Sequence, residues 1–293
     1  MNLALTVLEI VAPVFLLAGL GFAWVKLGFE YRIQFVTWLA MTLAVPCLLF
    51  TALMQSQIEP AALTTLSFAA LAGYILLTIA AWAIVQITGL EQRSTLPAMI
   101  IGNTGNLGLP LALFAFGDQG LSYALVVFAV SGIYGFTFGV WVVSGGGSLI
   151  RLIKEPMVAA TILGAIFLWQ GWQTPRFLTN ALELIGQMAI PLILLTLGVA
   201  VARLQPGRLL RAFWLVSIRL PICIGIGWLV GRWFALEPVA FGVLVVQLST
   251  PVAVTSYLLA EKYGADSDQV AGMVVVSTLM ALITLPVTLA FVI

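Results

Sequence analysis

The sequence predicts an all-α integral membrane protein of ten transmembrane helices, and three observations carry that prediction. Of 293 residues, 62% are hydrophobic and only 8% charged, with a mean hydropathy of +1.15. A soluble domain carries about 25% charged residues, so most of this surface must face lipid. A crossing helix needs about 20 apolar residues, and about ten such runs consume the whole chain. The breaks between runs are short and charged or rich in Gly and Pro, leaving no room for a separate soluble domain.

In order, the apolar runs fall at about 4–25, 33–54, 62–89, 95–116, 120–143, 156–172, 178–202, 209–234, 238–261 and 268–292. The chain starts Met1-Asn2-Leu3-Ala4, without the positive stretch of a signal peptide, so the first run is expected to be retained. Breaks after odd-numbered runs hold Lys26, Arg32, Arg93, Arg151, Lys154, Arg203, Arg208, Arg211 and Lys262. Breaks after even runs hold only Arg176 and Arg232, and Arg219 lies inside the eighth run. Positive charge collects on the cytoplasmic side, so both termini are expected outside. Trp24, Trp38, Trp141, Trp169, Trp172 and Trp233 sit near run ends, as an interfacial aromatic belt requires.

Composition also excludes function classes. A net charge of +1 offers no basic surface to a nucleic acid. Histidine is absent, and the two cysteines, Cys47 and Cys223, lie in apolar runs as packing residues. Without His, a Cys–His pair or clustered carboxylates, a membrane-embedded enzyme is a poor reading. Nothing calls for a cofactor or a metal.

The two halves repeat. Gly19, Phe22 and Trp24 match Gly164, Phe167 and Trp169, and Ala44-Val45-Pro46 with Thr51 matches Ala189-Ile190-Pro191 with Thr196, all 145 apart. Pro110 and Pro251 match at 141, each followed by an aromatic-Gly pair, Phe116-Gly117 and Tyr263-Gly264. This divides the chain into 1–143, a linker 144–155 and 156–293. Five runs per copy is odd, so the second copy enters the membrane inverted, about a pseudo-two-fold axis in its plane. Pro46 and Pro191 read as packing kinks.

Two runs cannot be ordinary helices. Residues 103–110 read Asn-Thr-Gly-Asn-Leu-Gly-Leu-Pro, and residues 248–256 read Leu-Ser-Thr-Pro-Val-Ala-Val-Thr-Ser. Freed backbone groups are tolerated at membrane depth only where protein or a watery cavity surrounds them. In transporters such breaks mark the substrate site. The second half of a broken helix presents bare amides and a positive dipole end, which bind an anion without a fixed charge. Asn103, Thr104 and Asn106 can donate around the first break, with backbone approach open at Gly105. Ser249, Thr250, Thr255 and Ser256 can do so around the second, where Pro251, Val252 and Ala253 form the break. The competing reading is that these groups satisfy their own helices, as Ser and Thr often do.

The stretch Gly102-Asn103-Thr104-Gly105-Asn106-Leu107-Gly108-Leu109-Pro110-Leu111 resembles the fourth-span motif of the auxin efflux carrier family, which includes the plant PIN-FORMED carriers and many bacterial transporters. The run Pro191–Gly198, the stretch Ala260–Asp266 and Leu285-Pro286-Val287-Thr288 resemble its later spans, so the likeness covers essentially the whole chain. It implies helices four and nine crossing at Pro110 and Pro251, with a substrate carboxylate near the crossing and Asn103 as its main contact. It further implies a transport domain (spans 3, 4, 5, 8, 9 and 10) moving elevator-fashion against a scaffold domain (spans 1, 2, 6 and 7), a homodimer, a bacterial inner membrane, and small mono- or dicarboxylates such as malate, malonate or auxin-like anions. The plant carriers' long central loop is missing, so their phosphorylation control does not transfer.

Arg219 lies roughly 12 Å beyond Arg211 along the eighth run, where a charge is costly and by default functional. It can balance the substrate, bind carbonyls freed by Pro221, or snorkel to the headgroups. No Asp or Glu sits beside either break, so the proton relay of a coupled exchanger is missing. The reading is a potential-driven anion carrier. Its rival is a sodium- or proton-coupled carrier of the bile-acid-transporter or antiporter type, an analogy of architecture.

Overall fold

The computed structural model describes residues 3–55, 60–146, 156–203 and 207–292. Every regular element among them is helical. In chain order these are α1 (Leu3–Lys26), α2 (Ile33–Leu39), α3 (Val45–Met54), α4 (Pro60–Thr88), α5 (Gln92–Ile100), α6 (Leu109–Tyr134) and α7 (Val140–Val143). After the linker come α8 (Pro156–Gln170), α9 (Arg176–Gln187), α10 (Ala189–Arg203), α11 (Gly207–Trp233), α12 (Pro238–Ser249), α13 (Val254–Tyr263) and α14 (Ser267–Val292). The expected linker 144–155 lies outside the described residues from 147 onward.

Prolines set several of these boundaries. Pro46, Pro110 and Pro238 occupy the first turns of α3, α6 and α12, where the missing N–H costs nothing. Three π-helical turns, Ala40–Ala44, Thr104–Gly108 and Gly135–Gly139, insert an extra residue before α3, before α6 and before α7. Such turns concentrate at functional sites.

By length and apolarity, five described stretches can each cross a membrane: Ile33–Thr51, Thr64–Thr88, Gln119–Val143, Arg176–Thr196 and Leu209–Trp233. Ser267–Ala281 with Ile283–Val292 makes a sixth if its 55° bend belongs to one span. The sequence expects ten. The fourth and ninth runs fall short because they are divided, leaving α5 and α12 at 9 and 12 residues. Large apolar side chains such as Phe35, Trp38, Trp169, Phe177 and Trp233 point outward, the reverse of a soluble surface. The chain is an all-α, multi-pass membrane protein.

The helices pack in two groups. In one, α1 lies along α10, and α3 lies against α8 and α9. A Cβ on Gly198 would stand 1.8 Å from the Ala18 carbonyl oxygen, and one on Gly21 would stand 2.1 Å from that of Leu195. Backbone therefore touches backbone, the contact that small residues permit between helices in lipid. In the other group, α4, α6, α11, α12 and α14 pack on one another around α5 and α13.

Candidate functional site

The crossing is built from two interruptions. After Ile100 the chain turns extended, with Ile101 at φ −82°, ψ 109°, and becomes helical again at Thr104. After Ser249 it is extended from Thr250 (φ −55°, ψ 149°) to Ala253 (φ −66°, ψ 136°), and α13 begins at Val254. The two extended pieces pair as a single antiparallel bridge between Gly102 and Val252. The Asn103 N–H donates to the Pro251 carbonyl at 2.7 Å, and the Ala253 N–H to the Ile101 carbonyl at 3.0 Å. The Val252 N–H donates to Ser277 Oγ of α14 at 2.9 Å. Backbone groups freed by one break are thus satisfied largely by the other, as burial demands. Only glycine fits at 102, since a Cβ there would stand 2.4 Å from Thr250 Oγ1.

Pro251 sits within the crossing, but Pro110 does not. It lies in the first turn of α6, beyond the π-helical turn, so the helices do not cross at their two prolines. The paired centres, Gly102 and Val252, are 150 residues apart (252 − 102) rather than the 141 of the proline match.

The two faces of the crossing differ in charge. On one face α5 and α12 end, each with unpaired carbonyls and a dipole worth about −0.5 of a charge. Arg219, 2% exposed, reaches this face from α11. Its Nε donates to the Met99 carbonyl at 2.8 Å and its Nη1 to the Thr250 carbonyl at 2.9 Å. Of the alternatives raised by the sequence, neither snorkelling nor capping carbonyls freed by Pro221 matches this geometry. Arg219 serves carbonyls on two other helices.

On the opposite face α13 and the Thr104–Gly108 turn begin. Their first amides have no partner within their own helices. This face borders a cavity of about 310 Å³. Asn103, Thr104 and Gly105 line it from the first break, and Ala253, Val254 and Thr255 from the second. Phe128, Ser131, Gly132, Gly135 and Phe136 line it from α6 and the turn that follows, and Val45, Leu48, Leu49 and Ile193 line it from α3 and α10. None of these carries a titratable side chain. Two of the π-helical turns line the cavity, through Thr104 and Gly105 and through Gly135 and Phe136, and the first ends just before the lining residue Val45.

The expected site residues therefore divide. Asn103, Thr104, Gly105, Ala253 and Thr255 are brought together around the cavity. Ser249 and Pro251 flank a much smaller space of about 10 Å³ on the Arg219 face. The Ser249 and Thr250 hydroxyls bond back to Val246 and Gln247 of their own helix. Val252 is buried in the bridge, and Ser256 is buried without lining either space. The side chains of Asn106 and Pro110 lie outside the described residues.

Three polar residues escaped the sequence reading. Ser131 lines the cavity and accepts the Thr104 hydroxyl at 3.5 Å. Ser277 holds the Val252 amide. Gln247, fully buried against Gly108, has no partner for either amide atom among the described residues. Each is a polar side chain within an apolar run, which was the available signal.

Carboxylates mark the two outer ends of the crossed pair. Glu91, just before α5, accepts the Ser94 hydroxyl at 2.7 Å and the Asp266 amide at 3.1 Å. Glu237, just before α12, accepts from Gln119 Nε2 at 3.1 Å and from the Tyr123 hydroxyl. Arg93 ties the ends of α7 and α13 through the Val143 carbonyl at 2.8 Å and the Tyr263 carbonyl at 2.7 Å.

A multi-pass helical protein with a polar backbone crossing beside a partly open cavity has the architecture of a membrane transport protein. The chain belongs to the membrane transport protein family, whose sequence profile matches residues 6–148 and 140–289 and to which the fourth-span motif pointed. An "Uncharacterized transporter" of Methanothermobacter thermautotrophicus is 28% identical over 95% of this chain and 96% of its own. Another, from Methanocaldococcus jannaschii, is 28% identical over 64% of each chain. A "Putative malonate transporter" of Rhizobium meliloti is 23% identical over 62% of each. The chain thus spans less than two thirds of the length of the second and third of these relatives.

Proposed function

We propose that the protein is a secondary carrier of small organic anions, working by alternating access. The observation that carries this reading is the cavity face of the crossing. Two helix N-termini, each worth about +0.5 of a charge, and the Asn103 and Thr104 side chains border a cavity without titratable groups. One carboxylate matches that field, and the aliphatic wall of Val45, Leu48, Leu49 and Ile193 suits the body of a small acid. A cavity of about 310 Å³ lies at the small end of ligand pockets. The name of the Rhizobium relative makes malonate the first compound to test.

The architecture we propose is ten spans in two inverted repeats. Left-handed hinge residues support it, recurring as Gly28 and Gly171, Gly89 and Ala235, and Gly117 and Gly264, at separations of 143, 146 and 147. The carboxylate ends support it too, since Glu91 reaches the turn before α14 and Glu237 reaches the segment after Gly117. The scaffold comprises spans 1, 2, 6 and 7, and the transport domain the remaining six. The cavity lies between the two groups, the position an elevator motion requires. Export needs no second ion, because an anion leaving a negative interior gains about 2.3 kcal/mol per charge per 100 mV. We place the carrier in a bacterial inner membrane, termini outside, as a homodimer.

Proteoliposomes loaded with labelled malonate, malate or indole-3-acetate test the reading. Saturable, potential-dependent flux of at least one is expected. No flux of any carboxylate would remove it, and strict sodium or proton dependence would favour the coupled alternative.

A further inference from the structure

The carbonyl face of the crossing has the makings of a cation site. The Met99 and Thr250 carbonyl oxygens converge there, and Ser249 and Ser277 flank the space of about 10 Å³ beside them. Half-helix carbonyl ends are the groups with which crossed-helix transporters hold sodium. Two such ends sum to about one negative charge. In this chain the guanidinium of Arg219 already occupies the convergence, and its bonds go to carbonyls rather than to a carboxylate.

We propose that Arg219 is a tethered counter-cation, standing where a free monovalent cation would otherwise bind, so that the crossing needs no coupling cation. This rests on the carrier reading above. A planar fork can serve two carbonyls on separate elements at once, which an ammonium does less well. With the charge balanced, a second cation at the same place meets a full positive charge at close range in a medium that screens poorly. The side chain also fixes the ends of α5 and α12 to α11, so these three elements move together. Arg219 touches the backbone of the site and not its cavity, which makes it a positioning residue.

The test is chemical rescue, read first on purified protein without cargo. Arg219→Ala in detergent is expected to melt several degrees below the natural protein and to recover on addition of millimolar guanidinium chloride, with a smaller recovery in sodium chloride. Arg219→Leu, which fills the space, should melt low and not recover. The natural protein should melt at one temperature in sodium and in choline chloride. An Ala variant as stable as the parent, or guanidinium acting equally on the Ala and Leu variants, would overturn the proposal. Should the Ala variant fail to fold, Arg219→Lys against Arg219→Gln decides: a charge role requires Lys to melt higher, and equal or reversed stability overturns it. Flux of the natural protein should then survive replacement of sodium by choline. Rescue without flux of any carboxylate would sink the carrier reading alone, and flux without rescue would sink only this assignment.

Discussion

The two interruptions have nearly the same backbone and opposite chemistry. The first passes through Gly102 and Asn103 into a π-helical turn, and its polar side chains Asn103 and Thr104 face the cavity. The Asn103 carbonyl is shared there by the amides of Leu107 and Gly108, at 3.3 and 3.1 Å. The second passes through Thr250 and Pro251 straight into an α-helix, and the Ser249 and Thr250 hydroxyls turn back onto their own helix. Symmetry of the main chain fixes where the dipoles point. It leaves the side chains free to diverge, with Asn103 and Thr104 turned to the cavity and the Ser249 and Thr250 hydroxyls turned to their own helix.

Gly102→Ala should break the comparison outright. Its Cβ meets Thr250 Oγ1 at 2.4 Å, held between two crossing hydrogen bonds, so the arms must part. Overpacking of that kind costs about 1–3 kcal/mol, visible as a lowered melting temperature with loss of transport. Next, Asn103→Ala should weaken anion binding at least about tenfold, or about 1.4 kcal/mol, while the cargo-free melting temperature stays near the parent's. Thr250→Val should do the reverse, losing about 1 kcal/mol of stability with little change in affinity. Equal effects of these two variants would erase the division of labour. Ser249→Ala removes a hydroxyl bonded in the same way and should cost no more than about 1 kcal/mol, with affinity unchanged. Finally, no titratable side chain lines the cavity, so affinity should follow ionisation of the cargo and stay level once its carboxylate is charged. A second inflection in a binding titration between pH 6 and 8 would place an unrecognised acid or base at the site.

The breaks themselves were legible, because Gly, Asn and Pro inside long apolar runs leave few other readings. Their placement was less so. Pro110 drew attention as a helix breaker, yet in a first turn proline is at ease, and the bend falls at Gly102, where close approach to Thr250 excludes any side chain. The 145-residue offset is a match of residues in the first two runs of each half. At the crossing it grows to 150, and a π-helical turn, invisible to apolar periodicity, follows the first break. Arg219 was recognisable as costly, but its partners lie 120 and 31 residues away on other helices. Spacing along one helix cannot reveal them. Ser131 and Gln247 were overlooked because single polar residues in apolar segments are usually satisfied locally.

The π-helical turns at and beside the cavity have a mechanical consequence. Each stores one residue of slack at the joint where one helical segment passes into the next. Squeezing that residue out would swing the following segment by about 100° and draw it in by about 1.5 Å, without unravelling the turns on either side. With two such joints in its lining, the cavity has walls that can be re-aimed in discrete notches rather than by continuous bending.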